Sequence, residues 1–147
     1  MYKNILCAID GSEHALRAAK QACEMAQQND GSLTYIVVTK PFKISSEAKR
    51  YLERESLLGE ATYIVAPMTE KVLEEAKRAA KTAGVNKVKT VIREGHAARK
   101  IVEYAKLDGS DVIFLGSRGR GDVESILLGS VAHKVSSLSP CTVILVR

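Results

Sequence analysis

Asp111-Val112-Ile113-Phe114-Leu115-Gly116-Ser117-Arg118-Gly119, separated by nine residues from Gly129-Ser130, is the stretch of this 147-residue chain whose reading decides the fold. The apolar run over residues 111–115 has the length and composition of a buried β-strand. Gly116 and Gly119 fall on the turn that leaves it, where a residue without a side chain lets a ligand approach the backbone or takes a positive φ. Gly129-Ser130 then opens the helical spacing of Val131, Ala132, Val135 and Leu138, with Ser130 as the expected N-cap. A strand, a glycine turn and a helix N-terminus with unpaired N–H groups form an arrangement suited to holding phosphate.

Working outward, short β-branched runs alternate with longer helical ones. Residues 5–10 read as a strand, and Ser12 caps a helix to about residue 28 in which Ala15, Leu16, Ala19, Ala22, Cys23 and Ala26 recur at helical spacing. Asn29-Asp30-Gly31 ends that helix. Residues 33–39 form the second strand, which Lys40-Pro41 terminates because proline supplies no ladder donor. A helix over residues 68–83, with Thr69 as candidate cap and Gly84 at its end, precedes a strand over residues 88–93. A helix over 97–107, the strand over 111–115, the Ser130 helix and a strand over 142–146 complete the series. Alternation of this kind specifies the α/β class: a single open five-stranded parallel sheet, Rossmann-like, with helices on both faces. Residues 42–66 interrupt the rhythm as a variable insertion. The charged run from Ser45 to Arg54 inside it reads as a short helix, either a lid over a ligand or a surface excursion.

Composition narrows the function classes. With 46% apolar residues the chain supports one ordinary domain over residues 1–147. No apolar run approaches the roughly 18 residues of a membrane span, and the N-terminus enters a strand directly, so a cytoplasmic protein without membrane contact is expected. Cys7, Cys23 and Cys141 are scattered among apolar neighbours, the pattern of buried reduced thiols rather than of a disulfide or metal framework. The net charge of +5 suits an anionic partner. Its Lys and Arg residues alternate with Glu along helices, and two Phe, five Tyr and no Trp offer no platform for stacked bases. A nucleotide fits this better than a nucleic acid.

In an open sheet, ligands sit outside the carboxyl ends of the strands where the strand order reverses. Asp10 ends the first strand. If that strand neighbours the one ending at Leu115, Asp10 and Gly116 face one crevice, with Asp10 on a ribose or on a phosphate-bound metal. Asp10-Gly11-Ser12 equally describes an ordinary strand-to-helix turn in which Asp or Ser satisfies orphan N–H groups. Two standard glycine fingerprints fail: there is no Gly-x-x-x-x-Gly-Lys-Ser/Thr run, and the Gly-x-Gly beginning at Gly119 meets Glu124 where a third glycine belongs. What stands is Gly116-x-x-Gly119, nine residues, then Gly129-Ser130.

That spacing resembles the glycine motif of the ATP-binding branch of the universal stress protein family. The first strand running into Asp10-Gly11-Ser12, the late strand ending in Gly116-Ser117, and the closing Ser139-Pro140-Cys141-Thr142-Val143-Ile144-Leu145-Val146 resemble the corresponding family segments in the same order. The resemblance covers essentially the whole chain and implies a sheet of order 3-2-1-4-5, placing the first and fourth strands side by side. It also implies residue roles. Ile9 and Asp10 lie against the adenosine, and Val38 meets the adenine edge through its backbone. Gly116, Arg118 and Gly119 border the ribose and phosphates, with Leu115 also among the nucleotide-binding residues, while Gly129, Ser130 and Val131 hold phosphate oxygens. Homodimerisation is implied as well, and the apolar strand over residues 142–146 supplies an edge for a second copy.

Catalysis asks for more. Hydrolysis or phosphoryl transfer needs a positioned base or water-orienting group. His14, His96 and His133 are scattered and read as surface or capping residues, which leaves no catalytic residue to name. Asp10, Asp122 and Glu124 could meet a magnesium ion carried by ATP, but no spacing specifies a dedicated metal site. Arg118 and Arg120 suit phosphate oxygens, and Lys40 and Lys43 could reach the site from the insertion. Asp122 could cap a helical turn within the nine-residue spacer. Three readings remain: a regulatory protein that binds ATP, AMP or ADP, a weak magnesium-dependent ATPase or phosphotransferase, and a nucleotide-free dimeric scaffold.

Overall fold

The structure, a computed structural model, describes residues 1–40, 45–55, 65–119 and 128–147. In chain order the elements are β1 (Asn4–Ala8), α1 (Glu13–Asn29), β2 (Ser32–Thr39), α2 (Ser46–Arg54), α3 (Val65–Thr82), β3 (Lys87–Glu94), α4 (Ala97–Asp108), β4 (Val112–Gly116), α5 (Ser130–Leu138) and β5 (Thr142–Val146). The strands form one parallel sheet of order β3-β2-β1-β4-β5, as the resemblance implied.

Period-two alternation along the strands divides the core between the two sheet faces. Ile5, Cys7 and Ile9, Leu33, Tyr35 and Val37, and Val112 and Phe114 pack with the buried alanines of α1 and with Leu73 and Ala80 of α3. The intervening residues Leu6, Ile36, Ile113 and Leu115 pack on the opposite face against Ala98, Ile101, Val102 and Ala105 of α4 and Ala132 and Val135 of α5. The central strands are therefore apolar on both faces, which explains their continuous hydrophobic runs. The edge strand β3 is covered less, and Lys87, Lys89 and Arg93 hold charge along it. Among the described residues no helix is long and apolar enough to cross a membrane.

Local signals set most boundaries. The Ser12 hydroxyl accepts a hydrogen bond from the Ala15 N–H at 3.2 Å, capping α1. At the other end Asp30, not Gly31, takes the left-handed conformation, with φ 48°. The charged run after residue 45 is a helix, and the Ser45 hydroxyl accepts from the Ala48 N–H. The rest of the lid-or-excursion reading falls on residues 41–44 and 56–64, outside the described residues.

Four expectations need correction. β1 ends at Ala8 rather than at Asp10, because the chain turns toward α1 there. α3 begins at Val65, so Thr69 lies inside the helix instead of capping it. Pro67 did not delay the start, since a first-turn residue has no intrahelical acceptor for the N–H that proline lacks. The N-cap of α5 is Gly129, and Ser130 is its first helical residue. Cys141 is half-buried, whereas Cys7 and Cys23 are buried as expected.

Candidate functional site

The strand order reverses between β1 and β4, and Cys7 pairs with Phe114 across that junction. Beyond this last pair one chain continues to Asp10 and the other to Ser117. Asp10 and Gly116, expected to face one crevice, therefore both lie at the carboxyl ends of adjacent strands. Ile9 is buried, and its N–H donates to the Ile36 carbonyl at 3.0 Å, extending the link to β2 by one residue. Val38, two residues further along β2, is half-buried. Asp10 is exposed, and its Oδ1 accepts from the Ser12 N–H at 2.9 Å. The ordinary turn role is thus present, and one carboxylate oxygen supports it.

Gly116 is held by close approach rather than by backbone conformation. A Cβ at this position would stand 2.7 Å from the His14 Cβ and 2.9 Å from the Ala15 nitrogen. The first turn of α1 presses directly on the end of β4, and only glycine leaves it room. Leu115 before it is buried, while Arg118 and Gly119 after it are half-buried.

Ser117 joins three elements at this point. Its N–H donates to the Val146 carbonyl at the end of β5, at 2.7 Å. Its carbonyl accepts from the Gly129 N–H, also at 2.7 Å, tying the N-terminus of α5 to the β4 turn. Its buried hydroxyl lies 3.1 Å from Nδ1 of His14, whose Nε2 lies 3.4 Å from an Arg118 guanidinium nitrogen. Because Gly129 has no capping side chain, the opening N–H groups of α5 rely on other partners. That end also carries the positive pole of the helix dipole. Gly129 is buried, while Ser130 and Val131 are exposed. Asp10, the Gly116–Gly119 turn and the α5 N-terminus are therefore arranged around one switch point.

The sequence reading missed His14 and Ser117. His96 and His133 are exposed, as expected of surface histidines, but His14 is half-buried in the contact just described. The available signal was a serine directly after a buried strand and a glycine. Lys40 is exposed at the end of β2. Lys43, Arg120, Asp122 and Glu124 lie outside the described residues. Among the described residues, no group of three or more His, Cys, Asp or Glu side chains is arranged to hold a metal ion.

The fold places the chain in the open, parallel α/β class, with its topological switch point between β1 and β4. The sequence profile of the Universal stress protein family matches residues 1–147. A universal stress protein of Thermus aquaticus is 36% identical over 149 residues, covering 100% of both chains. Universal stress protein UspA from Lactobacillus plantarum superposes with a TM-score of 0.81 at 28% identity, over 99% of this chain and 98% of that one. A universal stress protein solved in complex with cAMP superposes with a TM-score of 0.73 at 27% identity, over 99% and 97% of the two chains. The chain belongs to the universal stress protein family.

Proposed function

We propose that this chain is a regulatory, stress-response protein that binds an adenine nucleotide, with ATP as its ligand, within one domain spanning residues 1–147. Ile9 and Asp10 lie beside the adenosine, and the Val38 backbone meets the adenine edge. Leu115, Gly116, Arg118 and Gly119 border the ribose and phosphates. Gly129 brings the turn close enough for phosphate to approach the helix end while its own N–H donates to the Ser117 carbonyl, and Ser130 and Val131 offer backbone N–H groups, and Ser130 a hydroxyl, to phosphate oxygens. A magnesium ion would arrive with the triphosphate. A second copy pairs along the β5 edge to give a homodimer.

The observation that carries this reading is the 2.7 Å hydrogen bond from the Gly129 N–H to the Ser117 carbonyl. It fixes a helix N-terminus, with its partial positive charge, beside a glycine turn at the sheet's switch point. The cAMP complex of a related family member supports an adenine-containing ligand.

Isothermal titration with ATP, AMP and GTP tests the proposal. Saturable binding of ATP in preference to GTP is expected, and silence toward both adenine nucleotides would overturn it. A thermal shift gives an independent readout, since ligand at about 100 times its Kd stabilises a folded protein by about 2.7 kcal/mol.

A further inference from the structure

His14 sits where three parts of the site meet, and both of its ring nitrogens have a polar neighbour. An arginine guanidinium only donates, so the Arg118 nitrogen 3.4 Å away requires Nε2 of His14 to be an acceptor. A ring nitrogen that accepts carries no proton. The two contacts are both satisfied by the tautomer with its proton on Nδ1, which then donates to the Ser117 hydroxyl 3.1 Å away. Ser117 is 3% exposed and pinned through its backbone to Val146 and Gly129, so the Ser117 end of this relay is held firmly.

The contact has a direction. The donor-only guanidinium calls for a lone pair on Nε2, the proton then sits on Nδ1, and the Ser117 hydroxyl accepts it and anchors the ring. Arg118 directly follows the residue whose carbonyl binds the N–H of Gly129, the N-cap of α5. Its charge is thereby kept beside the helix end that offers N–H groups to an anion. A long arginine side chain left to itself loses rotamer freedom when it binds phosphate, and part of that loss is removed when a protein acceptor restrains it beforehand.

From this arrangement we propose that His14 is a positioning residue: as the Nδ1–H tautomer, anchored on Ser117, it holds the Arg118 guanidinium for the phosphate groups of the ligand and so determines selectivity for nucleotide over nucleoside. The inference rests on the nucleotide-binding reading above. Because the role of His14 runs through the Arg118 charge, its effect grows with the number of phosphates and is small for adenosine.

Titrations of ATP, AMP and adenosine into the unaltered protein, His14→Leu, His14→Gln and Ser117→Ala test it. His14→Leu removes the acceptor and is expected to weaken ATP about tenfold, the scale of one hydrogen bond to a charged group, while adenosine changes by less than about twofold. His14→Gln returns an amide oxygen near the Nε2 position and is expected to recover most of the ATP affinity. Ser117→Ala leaves both backbone links in place and is expected to weaken ATP by a smaller factor. Equal losses for ATP and adenosine in His14→Leu, or no recovery in His14→Gln, would overturn the positioning role. Nitrogen-15 chemical shifts of the His14 ring in the ligand-free protein at neutral pH give a readout that needs neither variants nor nucleotide. Protonated Nδ1 with unprotonated Nε2 is expected, and the opposite tautomer would refute the relay. If the unaltered protein binds neither ATP nor adenosine, the nucleotide reading itself fails and this inference falls with it. If ATP binds equally to the unaltered protein and His14→Leu, only the inference fails.

Discussion

Replacing Gly116 by alanine adds one methyl group where the structure has least room for it. The new Cβ would lie 2.7 Å from the His14 Cβ and 2.9 Å from both the His14 carbonyl carbon and the Ala15 nitrogen. Ordinary contact begins at 3.4 Å, so the shortest of these is about 0.7 Å too close. Two of the three neighbours are backbone atoms of α1, and no rotamer change relieves them. Either the first turn of α1 moves off β4 or the end of β4 bends outward. Overpacking of this kind costs about 1–3 kcal/mol. For a chain of this length 2 kcal/mol corresponds to a Tm lowered by about 4–8 °C. Urea unfolding followed by circular dichroism should show a lower midpoint with an unchanged slope. Displacement of α1 also lengthens the His14–Ser117 contact, so the variant should lose ATP affinity. Gly11→Ala is the control, because Gly11 has φ 82° with nothing within 4 Å of its added Cβ. It introduces left-handed backbone strain of about 1 kcal/mol without a clash. A Gly116→Ala protein as stable as the parent within about 0.5 kcal/mol would refute the close-packing argument.

Other expectations follow from separate parts of the fold. Asp111 Oδ2 accepts from the N–H groups of Lys3 and Asn4, each at 2.8 Å, and these bonds hold its carboxyl below the usual carboxylate range. A lowered folded value means the stabilisation is present above the unfolded pKa and is lost as pH falls through the folded one. Asp111→Ala should therefore cost about 1 kcal/mol near pH 7, and the difference should shrink below about pH 4 in denaturant titrations. Burial pushes the Cys7 thiol far up, whereas Cys141 is half-exposed. Alkylation of the native protein followed by mass spectrometry should modify Cys141 first and Cys7 only after unfolding, and early labelling of Cys7 would contradict its burial. Light scattering should give a dimer for the parent and a monomer for Thr142→Lys, which places a charge at the exposed end of the edge strand β5. A dimer that survives the substitution would move the interface elsewhere.

Much of the fold was legible because strand and helix periods differ. In β1 and β4 the buried residues run without a polar break, and in α1 the alanines at 15, 18, 22 and 26 mark the face against the sheet. Strand order was not legible from those runs, since Ile5–Cys7 and Val112–Phe114 are equally apolar and nothing in either names its neighbour. The order followed from the glycine spacing, through the resemblance it carries. Boundaries failed where a turn competed with a pattern. Ile9 continues the apolar rhythm of β1 and is buried, yet the ladder assigned to β1 stops at Ala8 because the following Asp10-Gly11-Ser12 turn feeds α1.

The glycines of the site could be found by spacing, but the residues that lock them together could not. His14 and Ser117 are 103 positions apart, and their contact depends on how closely α1 approaches β4. Helical periodicity places His14 just outside the buried stripe that begins at Ala15, the position of a surface residue. Gly116 changes that, because the absence of its side chain lets the first turn of α1 descend until His14 meets the residue after the strand. The same glycine therefore has a structural role that exists without any ligand, and a motif read only as a phosphate cradle accounts for half of its constraint. Ser117 supplies the other half. Its backbone takes one hydrogen bond from α5 and gives one to β5, and its hydroxyl receives one from α1, so the turn's geometry is set by the protein on three sides. A turn restrained in this way would have little ordering left to do on meeting the anion proposed for it, which is the condition under which a few backbone N–H groups give useful affinity.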